Sequence, residues 1–156
     1  NLAPDSPAPG ADAVEIRPAA VDGPDPRRLA HSGKHWARMD KGILSYCDIY
    51  APPMDDNTLR ILNIGERGLT AEVLRSRDVD LMNRNLANSH PDISRRAAEV
   101  QREVLTGNYV MTEKSLNTPL LDGKRLSIIY DQLNLLIYDE SGDPRILVYP
   151  KYVSQL

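Results

Sequence analysis

RLSIIYDQLNLLIYDESGDPRILVY, residues Arg125 to Tyr149, is the stretch on which the fold turns. Leu126, Ile128 and Tyr130 share one phase of a two-residue period, and Leu133, Leu135 and Ile137 take the opposite phase. Alternation of that kind is the signature of a strand. The slip near Asp131-Gln132 predicts a bulge or bend, because one inserted residue exchanges the two faces. Glu140 to Pro144 (ESGDP) is turn chemistry, and Arg145 to Val153 reads as the strand that returns. Upstream, Tyr109 to Leu116 is another strand candidate, followed by an Asp122-Gly123 turn. Three consecutive antiparallel strands are therefore expected at the C-terminal end.

Before them stands an amphipathic helix. Ser89-His90-Pro91-Asp92 offers a hydroxyl at a plausible N-cap, proline in the first turn and a carboxylate three residues after the serine. Ile93, Ala97, Val100 and Val104 then recur on one predicted apolar face, and Gly107 is the expected stop. Leu69 to Leu74 and Asp78 to Leu86 read as two shorter helices. Ile43 to Tyr50 and Thr58 to Ile64 read as two strands joined by a polar link containing Asp55-Asp56-Asn57. Two strands, short helices, a longer helix and three strands make an α+β domain: a five-stranded antiparallel sheet with helices on one face.

Residues Asn1 to Pro26 hold six of the chain's twelve prolines among Ala, Asp and Gly, which predicts a flexible arm with little to bury. Residues 27–41 read as a basic N-terminal helix, with Leu29, Trp36 and Met39 as its apolar stripe. The domain proper is placed at residues 42–156. A formal net charge of −3 argues against sequence-independent nucleic-acid binding, which needs a basic surplus. The single cysteine, Cys47, cannot form an intrachain disulfide, and no Cys-x-x-Cys pair offers a zinc site. No apolar run is long enough to cross a bilayer, and no signal-peptide pattern stands at the start, so a cytoplasmic location without membrane contact is expected.

The segment from Leu59 to Tyr149 resembles the PAS-like sensory domains common in bacteria. The resemblance is carried by EVLTGNY (Glu103 to Tyr109), by Arg125 to Tyr149, and by the Gly-containing end of the second strand, LRILNIGERG (Leu59 to Gly68). It implies the five-stranded PAS-like sheet, a pocket between sheet and helices, and a role in signal transduction. It also departs from the family in places. No flavin-type reactive cysteine lies between the second strand and the long helix, since Cys47 falls in the first strand. No output module or coiled-coil exit helix follows the last strand, so the chain reads as a stand-alone module or a fragment.

Candidate chemistry is sparse. His31 and His35 have the spacing of a two-histidine metal clip but no third ligand nearby, and a solvated basic helix accounts for them. His90 merits a haem test only because a helix histidine ligates iron in some haem-binding PAS domains; a capping role suits its position better. Asp55-Asp56, Asp78-Asp80 and Asp139-Glu140 all fall at turns or helix starts, where carboxylates bond local backbone. Cys47, among apolar neighbours, reads as a small buried hydrophobe rather than a nucleophile. Arg95, Arg96 and Arg102, with Arg75, Arg77 and Arg84 upstream, read as solvated faces before an anion site.

No catalytic or metal-ligating set emerges, and the cofactor is left open. The leading expectation is a non-enzymatic sensory module whose pocket is lined by Met82, Leu86, Val104, Tyr109, Met111, Tyr130 and Leu135. These seven serve equally as plain core. Flexible Met and half-polar Tyr suit a small-molecule ligand. The alternative is a dimerisation module with no small ligand, in which Trp36 helps hold a homodimer or a signalling partner. An enzyme on the related nuclear-transport-factor-like cone fold is a third reading, and it needs acidic or histidine groups inside the cone.

Overall fold

A computed structural model of the chain describes Pro26 and residues 41–107, 109–119 and 123–155. The expected arm (1–26) and N-terminal helix (27–41), with His31, His35 and Trp36, lie outside the described residues except for Pro26 and Lys41. The elements run α1 (Lys41–Leu44), β1 (Asp48–Ala51), β2 (Arg60–Asn63), α2 (Leu69–Leu74), α3 (Val79–Ala87), α4 (Pro91–Gly107), β3 (Tyr109–Pro119), β4 (Arg125–Tyr138) and β5 (Pro144–Gln155). All strand pairings are antiparallel, in the order β2-β1-β5-β4-β3. The α+β class and the open five-stranded sheet are as expected.

Three local readings change. The first strand begins only at Asp48. Residues 41–44 form a helical turn extended by Tyr46 N–H to Ile43 O and Cys47 N–H to Leu44 O, both 3.0 Å, which bends the chain before the sheet starts. The long helix is capped not by Ser89 but by the His90 ring, whose Nδ1 accepts the Asp92 N–H at 3.2 Å. Its buried side is Ala98, Gln101 and Val104, flanked by Ala97 and Leu105, while Ile93 is 59% exposed. A polar Gln101 in the middle of that stripe shifted the sequence-based face by one residue.

The phase slip in β4 has a different cause from the one expected. β3 pairs with β4 without interruption from Tyr109↔Leu135 to Pro119↔Arg125. The extra residue lies in β5: Ile129 pairs with Ser154 and Tyr130 with Tyr152, leaving Val153 over. β4 itself alternates regularly, and from Leu133 to Ile137 both its faces are buried. Leu126, Ile128, Leu136 and Tyr138 pack with the helices, whereas Leu133, Leu135 and Ile137 join Cys47, Ile49, Leu147 and Tyr149 on the far face. Ile43, Leu44 and Met111 pack against this second core. The sheet is therefore a wall between two apolar layers.

The loop between β2 and α2 is fastened by glycines. A Cβ on Gly65 would lie 2.5 Å from Cys47 O and 2.6 Å from Ser45 O, and one on Gly68 would lie 2.8 Å from Tyr46 O. Only a residue without a side chain lets these backbones meet. Arg67 between them donates its N–H to Ser45 O (2.9 Å) and lays its guanidinium over the Tyr46 ring at 4.7 Å.

Candidate functional site

A cavity of about 210 Å³ lies on the helical side of the sheet. Its floor comes from Asp48 and Tyr50 of β1, Val148 and Pro150 of β5, Tyr130 and Gln132 of β4, and Leu116 of β3. Its roof is Leu69, Thr70, Val73 and Leu74 of α2 with Met82 of α3. The walls are mostly aliphatic, and the polar groups are few and inward-facing, which is the usual make-up of a small-ligand site.

The central polar group is Asp48, 1% exposed. One carboxyl oxygen accepts the Gly65 N–H at 3.2 Å, and the other accepts a hydrogen bond from the Thr70 hydroxyl. The glycine contact with Ser45 and Cys47 thus sets the loop at the height from which Gly65 reaches Asp48. Burial pushes the Asp48 carboxyl up to about 7, against the opposing pull of the Thr70 and Gly65 hydrogen bonds. Tyr50 is raised by burial and then by the neighbouring Asp48 and Tyr130. Burial also raises Tyr130. Cys47, buried and beside Asp48 in the chain, is likewise raised by burial, and its thiol donates to Ile43 O at 3.4 Å, which suits the apolar role expected of it.

The roof is held from both ends. On α3, Asn83 Nδ2 donates to Ile61 O at 3.1 Å while its Oδ1 accepts the Ile61 N–H at 2.9 Å. The side-chain amide so replaces a neighbouring strand along β2, one of the sheet's two outer strands, and fixes Met82 above the cavity. Asp78 caps α3 through the Leu81 N–H at 3.1 Å. At the other end, Arg77 Nε reaches Ile64 O at 3.0 Å.

Beyond Gln132 the polar strip continues beneath α4. Gln132 Nε2 lies 3.5 Å from Asn134 Oδ1, and Thr112 sits directly across from Gln132 in the ladder. Asn134 Nδ2, Thr112 Oγ1 and Gln101 Oε1 are buried without a hydrogen-bond partner among the described residues. Buried polar atoms of this kind ordinarily find one.

Of the seven residues expected to line a pocket, Met82 and Tyr130 line this cavity. Leu86 and Val104 pack in the adjoining helix-side core. Leu135 and Met111 belong to the opposite face, and Tyr109, paired with Leu135, shares it at 43% exposure. With both faces of β4 apolar, hydrophobicity alone gives no sign of which phase meets the helices. The residues that reasoning missed are Asp48, Thr70 and Gln132. Their signal was present: Asp48 interrupts an apolar strand, and Gln132 and Asn134 share one phase of β4.

The remaining candidates are placed elsewhere. His90 is exposed at the start of α4 and does not line the cavity. Asp56 accepts the Thr58 N–H, and Asp139 accepts those of Ser141 and Asp143, each at 2.9 Å, so these acids hold turns. Arg102 clamps α4 to the β1–β2 loop through Asn57 Oδ1 (2.7 Å) and Met54 O (2.9 Å). Arg75 pairs with the buried Glu72 at 2.6 Å. Among the described residues, no group of three His, Cys, Asp or Glu side chains gathers as a metal site, and no helix is long and apolar enough to cross a membrane. No protein-family model, curated protein or solved structure matches the chain.

Proposed function

We propose that the domain is a non-enzymatic, PAS-like sensory module that binds a small molecule in the cavity between α2, α3 and the sheet. One observation carries this reading: an apolar cavity with a buried carboxyl, two tyrosines and a glutamine in its floor. The order of elements supports it, since two strands, a run of helices and three strands is the arrangement on which the resemblance rested. A ligand touching Thr70 and Met82 above and Tyr130 below bridges roof and floor. Its binding energy favours the conformation in which α2 and α3 sit closest to the sheet, and that shift is the signal passed to a partner or second subunit.

Native mass spectrometry of the purified protein, with thermal denaturation across a metabolite panel, tests the proposal. A retained adduct or a saturable rise in midpoint is the expected result. A bare mass together with a midpoint that no compound moves overturns it, leaving the dimerisation reading.

A further inference from the structure

Resting on the ligand-binding reading of the same cavity, we infer that its ligand is a small organic ammonium ion with an apolar tail, its nitrogen held at Asp48. Asp48 is buried, and its two partners are the Gly65 N–H and the Thr70 hydroxyl, both uncharged. A carboxylate offers about four lone-pair sites, so two remain for a ligand. Among the described residues no cation pairs with it. The neighbouring arginines are committed elsewhere: Arg67 to the Tyr46 ring, Arg75 to Glu72, Arg77 to Ile64 O and Glu66. Lys114, on the same sheet face, is opposite Tyr130 on β3, three strands from β1 and four residues along β3 from Val110, the position level with Asp48.

A buried carboxylate without a cation is costly, and it either takes a proton or recruits a positive charge. The cavity is built to receive such a charge. Tyr50 and Tyr130 line it, and a tyrosine ring attracts an ammonium group; Leu69, Val73, Leu74 and Val148 supply an apolar surface for a short tail. An anionic ligand would meet like charge at Asp48. At about 210 Å³ the cavity lies below the range of about 300–1,000 Å³ usual for drug-sized ligands, which suits a small one.

The groups facing Asp48 leave its charge to the ligand. β1 presents Tyr50, β4 presents Tyr130, β5 presents Val148 and Pro150, and α2 presents Leu69, Thr70 and Val73, all neutral near pH 7. Cys47, the adjacent thiol, is neutral there as well. An alkylammonium stays charged through this range, as lysine does. Affinity should therefore track ionisation of Asp48, rising about tenfold between pH 6 and pH 8 for a carboxyl that titrates near 7.

The test is calorimetric titration of the full chain with n-butylammonium chloride, butan-1-ol and sodium butyrate at pH 6 and pH 8, on wild type and Asp48→Asn. The expected result is that n-butylammonium binds most tightly, gains about tenfold from pH 6 to 8, and loses tenfold or more in the variant. Equal amine affinity in both proteins, or tighter binding of the alcohol or butyrate, overturns the ammonium assignment while leaving a small-ligand site standing. Binding of none of the three, with a metabolite-panel hit of another class, also overturns it. Binding of none, with an empty panel, removes both readings together. Should Asp48→Asn fail to fold, the wild-type pH series decides alone: a flat amine affinity rejects the assignment.

Discussion

Asp48 shows how one residue can set a protein's response to pH. Its carboxyl titrates near 7 in the folded state and near 4 when exposed, so between those values the native protein holds a proton that the unfolded chain has released. The sign follows: its contribution is fully present below about pH 4, fades as pH rises through 7, and is then lost. The difference amounts to a few kcal/mol at most, about 1.4 for each pH unit of the window. Urea denaturation at pH 5 and pH 8 should show wild type losing stability relative to Asp48→Asn; parallel profiles would show that Asp48 is ionised throughout. Gly65 is the second such residue. Gly65→Ala sets a Cβ against two backbone oxygens that cannot step aside and should cost roughly 1–3 kcal/mol or more. Gly107→Ala, with open space around it, should be neutral or slightly stabilising; equal melting shifts for the two would refute the close-approach argument. The role of Gly65 was not readable from Gly65-Glu66-Arg67-Gly68 alone, because the backbone Gly65 meets, at Ser45 and Cys47, lies eighteen to twenty residues earlier.

At the scale of elements, α3 and β2 depend on one amide. Asn83 stands in for a missing strand beside Ile61, satisfying both backbone groups of an outer strand that would otherwise seek another partner. Asn83→Ala should cost about 1–3 kcal/mol, because a half-buried N–H and C=O lose their partner together. Amide exchange at Ile61 is the sharper readout: protection there should fall before protection in β4 does, and unchanged exchange at Ile61 would contradict the role. The helices and strands were largely legible, since α2 and α3 carry compact apolar stripes and the C-terminal strands alternate cleanly. Legibility failed where polar residues were buried. Gln101 sits inside the covered side of α4, and Ile93 outside it, so the apolar period pointed one residue off. It failed again at residues 43–47, where an alternating run bends into a helical turn fixed by local backbone bonds.

Across the described residues the sheet is buried on both sides, and its buried polar side chains, Asp48 and Asn134, lie on the helical one. That two-sided burial explains what the sequence hid about the site: β4 reads as apolar in both phases, so Tyr109, Met111 and Leu135 looked as suited to a pocket as Met82 and Tyr130. Periodicity reports burial and leaves open which layer does the burying. The central claim is that the space under α2 and α3 is kept for a ligand. Val73→Phe would occupy it from the roof, so the thermal midpoint of this variant, with and without a compound that raises the wild-type midpoint, tests the claim directly. The account predicts an unliganded midpoint at or above that of wild type, and a response to the compound that vanishes. A variant that still responds in full would place the ligand elsewhere and leave the cavity as a fault in packing.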